Sequence, residues 1–173
     1  MKHRPGRVLF LPHHFREPDD KGGLRSWHIV KQLERVCPVV VIVPGIDTLT
    51  GERHARLPRF RPWASERRGD GVEIVRVNAL RNDRRSKLRR ALYYLSFSSF
   101  QFLRGILSRR VRVVLTTSMP VSTMLLGWLI ARLRGAAFVI DVRDLPADLA
   151  IELGYFRGGP VSRLLRRLEY FAY

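Results

Sequence analysis

The residues whose types and spacing could do chemistry fall in three loops and one helix. His13 and His14 stand in the loop PHHFREPDDKGG, which ends on Gly22 and Gly23 just ahead of a helical pattern. Glycines at a helix start leave backbone amides bare, and with the helix dipole these can meet a phosphate; a flexible turn is the plain alternative. The two histidine side chains diverge and have no evident third ligand nearby, so they are not expected to hold one metal. One can hydrogen-bond in a cleft while the other is solvated or packed. The run Thr116-Thr117-Ser118-Met119-Pro120 offers hydroxyls at another helix start, where Ser118 either caps the helix or binds a sugar hydroxyl. The third loop is the densest, with Asp141, Arg143, Asp144, Asp148 and Glu152. Asp141 follows an apolar run, where an unpaired charge is costly, so it either pairs with Arg143 or marks a strand end. Asp148 and Glu152 share a face if their segment is helical. Paired carboxylates can do acid–base work, but acids at a helix start also suit the dipole, and spacing alone favours the dipole.

The helix cluster interleaves Arg84, Arg85, Lys87, Arg89 and Arg90 with Tyr93, Tyr94, Phe97 and Phe100. Such a mixture serves base stacking beside a cationic groove, or an interfacial helix on anionic lipid. An ordinary amphipathic helix is the alternative, although cations at its N-terminus oppose the dipole. The whole chain shares the bias: 32 basic residues face 15 acidic ones, for a formal charge of +17. Only Lys2, Lys21, Lys31 and Lys87 are lysines, so the surplus is arginine. It calls for an anionic partner (nucleic acid, phospholipid or a phosphorylated substrate) or records an arginine-rich codon bias. The single cysteine, Cys37 beside Pro38, excludes a disulfide framework and a cysteine zinc site, and is expected to pack as a small core residue.

The elements that must position these groups are those of one domain. The chain has 173 residues, and 46% hydrophobic with 27% charged is a globular balance. The apolar stretch of MKHRPGRVLFLPHHF is too short for a signal peptide, and the longest apolar run, Val121 to Ala131, falls short of the ~20 residues that span a bilayer. Val8–Leu11, Val39–Val43 and Ala137–Val142 read as buried parallel strands, joined by Val72–Val77 and Val111–Thr116. Between them, Leu24, Trp27, Val30 and Leu33 mark one helix. Leu88, Ala91, Leu92, Leu95, Phe102, Leu103 and Ile106 mark a long second one. Val121, Met124, Leu125, Trp128 and Leu129 mark a third, begun by Pro120 and ended by Gly135. The stretch from Asp47 to Asp70 has no period and reads as a long surface loop. The predicted fold is α/β: a doubly wound, mainly parallel Rossmann-like sheet in a single domain. Its ligands should bind beyond the carboxyl ends of the strands, yet the dinucleotide fingerprint G-x-G-x-x-G is absent after the first strand.

Three blocks then stand out together: VLFLPHHF leading to GGLRSWHIVKQL, VLTTSMP, and VIDVRDLPADLAIELGYF followed by LEYFAY. In this order they resemble the N-terminal domain of family 4 glycosyltransferases of the GT-B fold, of the WbuB and colanic-acid type of bacterial polysaccharide enzymes. The resemblance covers nearly the whole chain, 1–173, and implies that 157–173 is a helix connecting to a C-terminal domain. It implies that Gly22 and Gly23 lie against the phosphates of a nucleotide-sugar, that His13 and Arg25 line the cleft, and that Ser118, Arg143 and Asp144 face the acceptor. Asp148 and Glu152 match acids of the family. Pro146-Ala147 stands where the family has Trp-Pro, which removes a bulky aromatic from the cleft.

The expected function is therefore the acceptor-side half of a glycosyltransferase, moving sugar from a nucleotide-sugar to a lipid-linked or glycan acceptor in bacterial surface polysaccharide synthesis. No metal or other cofactor is expected. The expected location is the cytoplasm, peripheral at the inner face of the plasma membrane, with Arg84, Arg85, Lys87, Arg89, Arg90, Tyr93, Tyr94 and Phe97 touching anionic lipid or another polyanion. The resemblance further implies that catalysis needs a second domain or chain. The stripe Val161, Leu164, Leu165 and Leu168 is expected to meet that chain or a second copy. The competing expectations are a non-catalytic scaffold subunit and a basic α/β domain that binds nucleic acid.

Overall fold

The computed structural model describes residues 6–18, 24–47, 52–54, 57–58, 60–81 and 86–142. Within them the chain forms β1 (Arg7–Leu11), α1 (Arg25–Glu34), β2 (Val39–Pro44), β3 (Trp63–Arg68), β4 (Val72–Val77), α2 (Lys87–Leu107), β5 (Val111–Thr117), α3 (Val121–Arg134) and β6 (Ala137–Asp141). The strands make one six-stranded sheet in the order β3-β4-β2-β1-β5-β6. All neighbouring pairs are parallel except β3 with β4. The order turns at β1: the chain grows outward through β2 and β4 on one side and through β5 and β6 on the other. This is the Rossmann-like arrangement expected of a GT-B half.

Continuous aliphatic runs in β1 and β2 follow from burial on both faces of the sheet. Leu9 and Leu11 of β1 pack with Val40, Ile42, Val75 and Val77 against Tyr93 and Phe97 of α2 and Ile130 of α3. Their alternates Phe10, Val39, Val41 and Ile74 pack against Val30 of α1, with Trp27 and Leu33 closing the edge. α1 therefore covers one face, and α2 and α3 cover the other. α3 lies close to β5 because Gly127 has no side chain; a Cβ there would collide with Thr116. Gly135 ends α3 with φ +59°, a left-handed conformation that costs glycine nothing.

Three sequence expectations change. The segment 47–70 contains a strand, β3, which pairs antiparallel with β4 through the turn at Gly69, whose φ is +63°. Its sequence, WASERR, is polar because it is an edge strand, and only the alternate side chains are partly shielded. β6 was expected to be buried, but it is the opposite edge of the sheet, and Val139 is 45% exposed. Finally, the leucines that mark α2 in the sequence point outward. The sheet takes the larger aromatic rings Tyr93 and Phe97 instead, both fully buried. Gly22, Gly23, Arg84, Arg85, Arg143, Asp144, Asp148, Glu152 and the connecting segment 157–173 lie outside the described residues.

Candidate functional site

The parallel strands end together on one edge of the sheet, and their loops build the site. A cleft of about 220 Å³ opens there. It is lined by His13 to Arg16 after β1, Val43 to Asp47 at and beyond the end of β2, Glu52 to His54, and Arg76 of β4. The loop after β2 is held open by the backbone. Gly45 donates to the Val77 carbonyl at 2.8 Å, His54 to the Gly45 carbonyl at 2.9 Å, and Asp47 to the Glu52 carbonyl at 2.8 Å.

Two ion-pair systems fix the loop after β1 across this cleft. The Arg16 guanidinium grips Asp47 with both nitrogens, at 2.5 and 3.1 Å, the bidentate form that sets orientation as well as position. Glu17, 8% exposed, accepts from buried Arg76 and pairs with Arg68 at 2.7 Å. A third pair lies further along the same edge. Arg25, at the start of α1, donates to Asp141, the last residue of β6, at 2.6 Å. The Ser118 amide donates to the Asp141 carbonyl at 3.1 Å, and the Ser26 hydroxyl to the His14 carbonyl at 3.0 Å. The loops after β1 and β5, the end of β6 and the start of α1 are thus joined around the point where the strand order turns, where open α/β sheets bind ligands.

The predicted site residues are distributed unevenly over this edge. His13 lines the cleft but is 5% exposed, with its ring 5.7 Å from Tyr94, 5.5 Å from Phe97 and 6.3 Å from Tyr93. Burial, and next the charge of His14, lower its pKa to about 3, so the imidazole is neutral at physiological pH. A neutral ring can donate or accept one hydrogen bond but carries no charge to an anion. Arg25 stands apart from the cleft in its pair with Asp141. Asp141 is the last residue of β6; its expected partner Arg143 lies outside the described residues. Ser118 is fully buried, and no side chain caps α3, whose N-cap is Pro120.

The predicted contact surface is divided by the helix. Tyr93 and Phe97 are enclosed in the core and cannot reach a membrane or polyanion, which corrects the expectation for these two side chains. Tyr94 is half-buried, and Arg89 and Arg90 are exposed. Arg16, Asp47, Glu17 and Arg76 entered no sequence-based site. Arg76 carried the one usable signal, a charge within the strand run VEIVRV, which burial would force to find a partner. Among the described residues, no group of three or more His, Cys, Asp or Glu could hold a metal ion, and no helix is long and apolar enough to cross a membrane. Cys37 is a free thiol near the Leu33 carbonyl.

No curated protein matches the chain. A family model does: the glycosyl transferase 4-like domain, over residues 23–173. That match spans most of the sequence and agrees with a mostly parallel sheet whose polar loops gather at the strands' carboxyl ends. The chain belongs to the glycosyl transferase 4-like domain family.

Proposed function

We propose that this domain is the acceptor side of a glycosyltransferase of the WbuB or colanic-acid type, one that transfers sugar from a nucleotide-sugar to a lipid-linked glycan in surface polysaccharide synthesis. The observation that carries the acceptor assignment is the cleft itself. Beside the apolar Phe15, Val43, Pro44 and Ile46, its polar lining is guanidinium, carboxylate and imidazole, with Asp47, Glu52, Arg53 and His54 around one opening. Sugar hydroxyls are at once donors and acceptors, and such a mixed lining can satisfy both. The Arg16–Asp47 fork would hold the loops while hydroxyls approach. His13 would offer an uncharged hydrogen bond from the cleft's floor. The donor phosphates are assigned to Gly22 and Gly23, which precede α1 in the sequence, on the general physics of bare amides ahead of a helix.

Calorimetric titration with UDP, GDP and their sugars, and separately with a soluble glycan acceptor, tests the two halves of this reading. Binding of one nucleotide-sugar that is lost in Gly23→Val supports the donor loop. Acceptor binding that weakens in Asp47→Ala, with the fold intact, supports the cleft. If neither ligand class binds, the reading falls.

A further inference from the structure

We propose that the outer face of α2 is a docking surface for an anionic phospholipid membrane. The proposal rests on the transferase reading for its purpose, since a lipid-linked acceptor lies in a bilayer. The inner face of this helix is spoken for, with Tyr93, Phe97 and Gln101 fully buried against the sheet. A surface helix with one face in the core should turn a polar face to water. This one turns out leucines: Leu88 is 70% exposed, Leu95 65%, Leu107 55% and Leu103 46%. Leu80, 54% exposed, extends the patch sideways, because its amide is bonded to the Ser96 hydroxyl of α2 at 2.9 Å.

Charge names the occupant. The helix sequence, KLRRALYYLSFSSFQFLRGIL, contains no Asp or Glu. Exposed Arg89 and Arg90 stand in its first turn, and exposed Arg109 and Arg110 follow its last. An apolar face ~32 Å long, at ~1.5 Å per residue, is therefore bounded by positive charge at both ends. That is the pattern of a helix lying in a lipid headgroup layer, its leucines toward the acyl chains and its arginines among phosphates. Each basic residue near an anionic surface raises binding roughly fivefold. A second copy on this face would set arginine against arginine, and a nucleic acid would leave the leucines in water.

The test is co-sedimentation of the full chain with vesicles of phosphatidylcholine, alone or mixed with phosphatidylglycerol. The variants are Leu88→Glu/Leu95→Glu and the control Val36→Glu. Val36 is 80% exposed at the end of α1, on the opposite face of the sheet. All three substitutions are at exposed positions, and circular dichroism confirms the fold. The expected result is binding to the anionic vesicles that drops at least about tenfold in the double variant and is unchanged in Val36→Glu. Equal binding to neutral and anionic vesicles, or a double variant that binds like the wild type, overturns the proposal. A wild-type dimer in light scattering that the double variant abolishes assigns the face to a second copy and also overturns it. Titration without vesicles, with nucleotide-sugars and with a soluble glycan acceptor, separates the two readings: failure of both with vesicle binding retained sinks the transferase reading and leaves the membrane surface standing.

Discussion

Replacing His13 by phenylalanine should remove a specific acid sensitivity from this fold. The ring lies among Tyr93, Tyr94 and Phe97, and burial holds its pKa at about 3, against an ordinary 6.5 once the chain unfolds. Between these two values the unfolded chain binds a proton that the folded chain refuses. Falling pH therefore favours unfolding: the loss begins as pH drops below about 6.5 and grows until about 3. The slope is ~1.4 kcal/mol per pH unit, or about 2 kcal/mol lost between pH 7 and pH 5. For a domain of this size that is roughly 4–8 °C in melting temperature. Phenylalanine keeps an aromatic ring in the cage and cannot titrate. The assay is thermal unfolding of both proteins at several pH values from 7.5 to 5. The wild-type melting temperature should fall more steeply, and the gap between the two should widen by the stated amount. Parallel curves across that range would refute a neutral, buried His13, whatever the absolute stability of the variant.

Other perturbations test the network around the cleft. Glu17→Ala leaves the Arg76 guanidinium buried without its carboxylate and should cost about 3–5 kcal/mol in urea unfolding, while Glu17→Leu with Arg76→Met should recover most of that loss. Asp47→Ala removes a partly exposed pair and should change stability by less than about 1 kcal/mol, so its effect belongs in acceptor titration rather than melting. Gly127→Ala pushes α3 off β5 at Thr116 and should destabilise by about 1–3 kcal/mol, read from the urea midpoint.

Local chemistry decided much of this protein. The aliphatic runs of β1 and β2 are legible because a strand buried on both faces has no polar alternate to confuse the pattern. Pro120 and Gly135 bracket α3 through backbone preferences that need no neighbour. The family blocks were legible for the same local reason, and they led to the loops at the strand ends. What remained hidden depends on residues far apart in the chain. Trp63 to Arg68 become a strand only because β4 offers an edge, and their charges disguise the alternation. Asp141 finds Arg25 across 116 positions, and Glu17 finds Arg76 across 59, so neither pairing has a sequence period. His13 and His14 are adjacent and chemically equal as sequence, and only the rings of α2 make one of them a buried neutral base. The orientation of α2 was settled in the same way. Its sequence carries two apolar faces, one aromatic and one leucine, and a helix cannot tell by itself which will be covered. The sheet took the aromatic rings: Tyr93 and Phe97 share one buried cluster with Leu9, Leu11 and Ile42. That choice left the leucines to the surface.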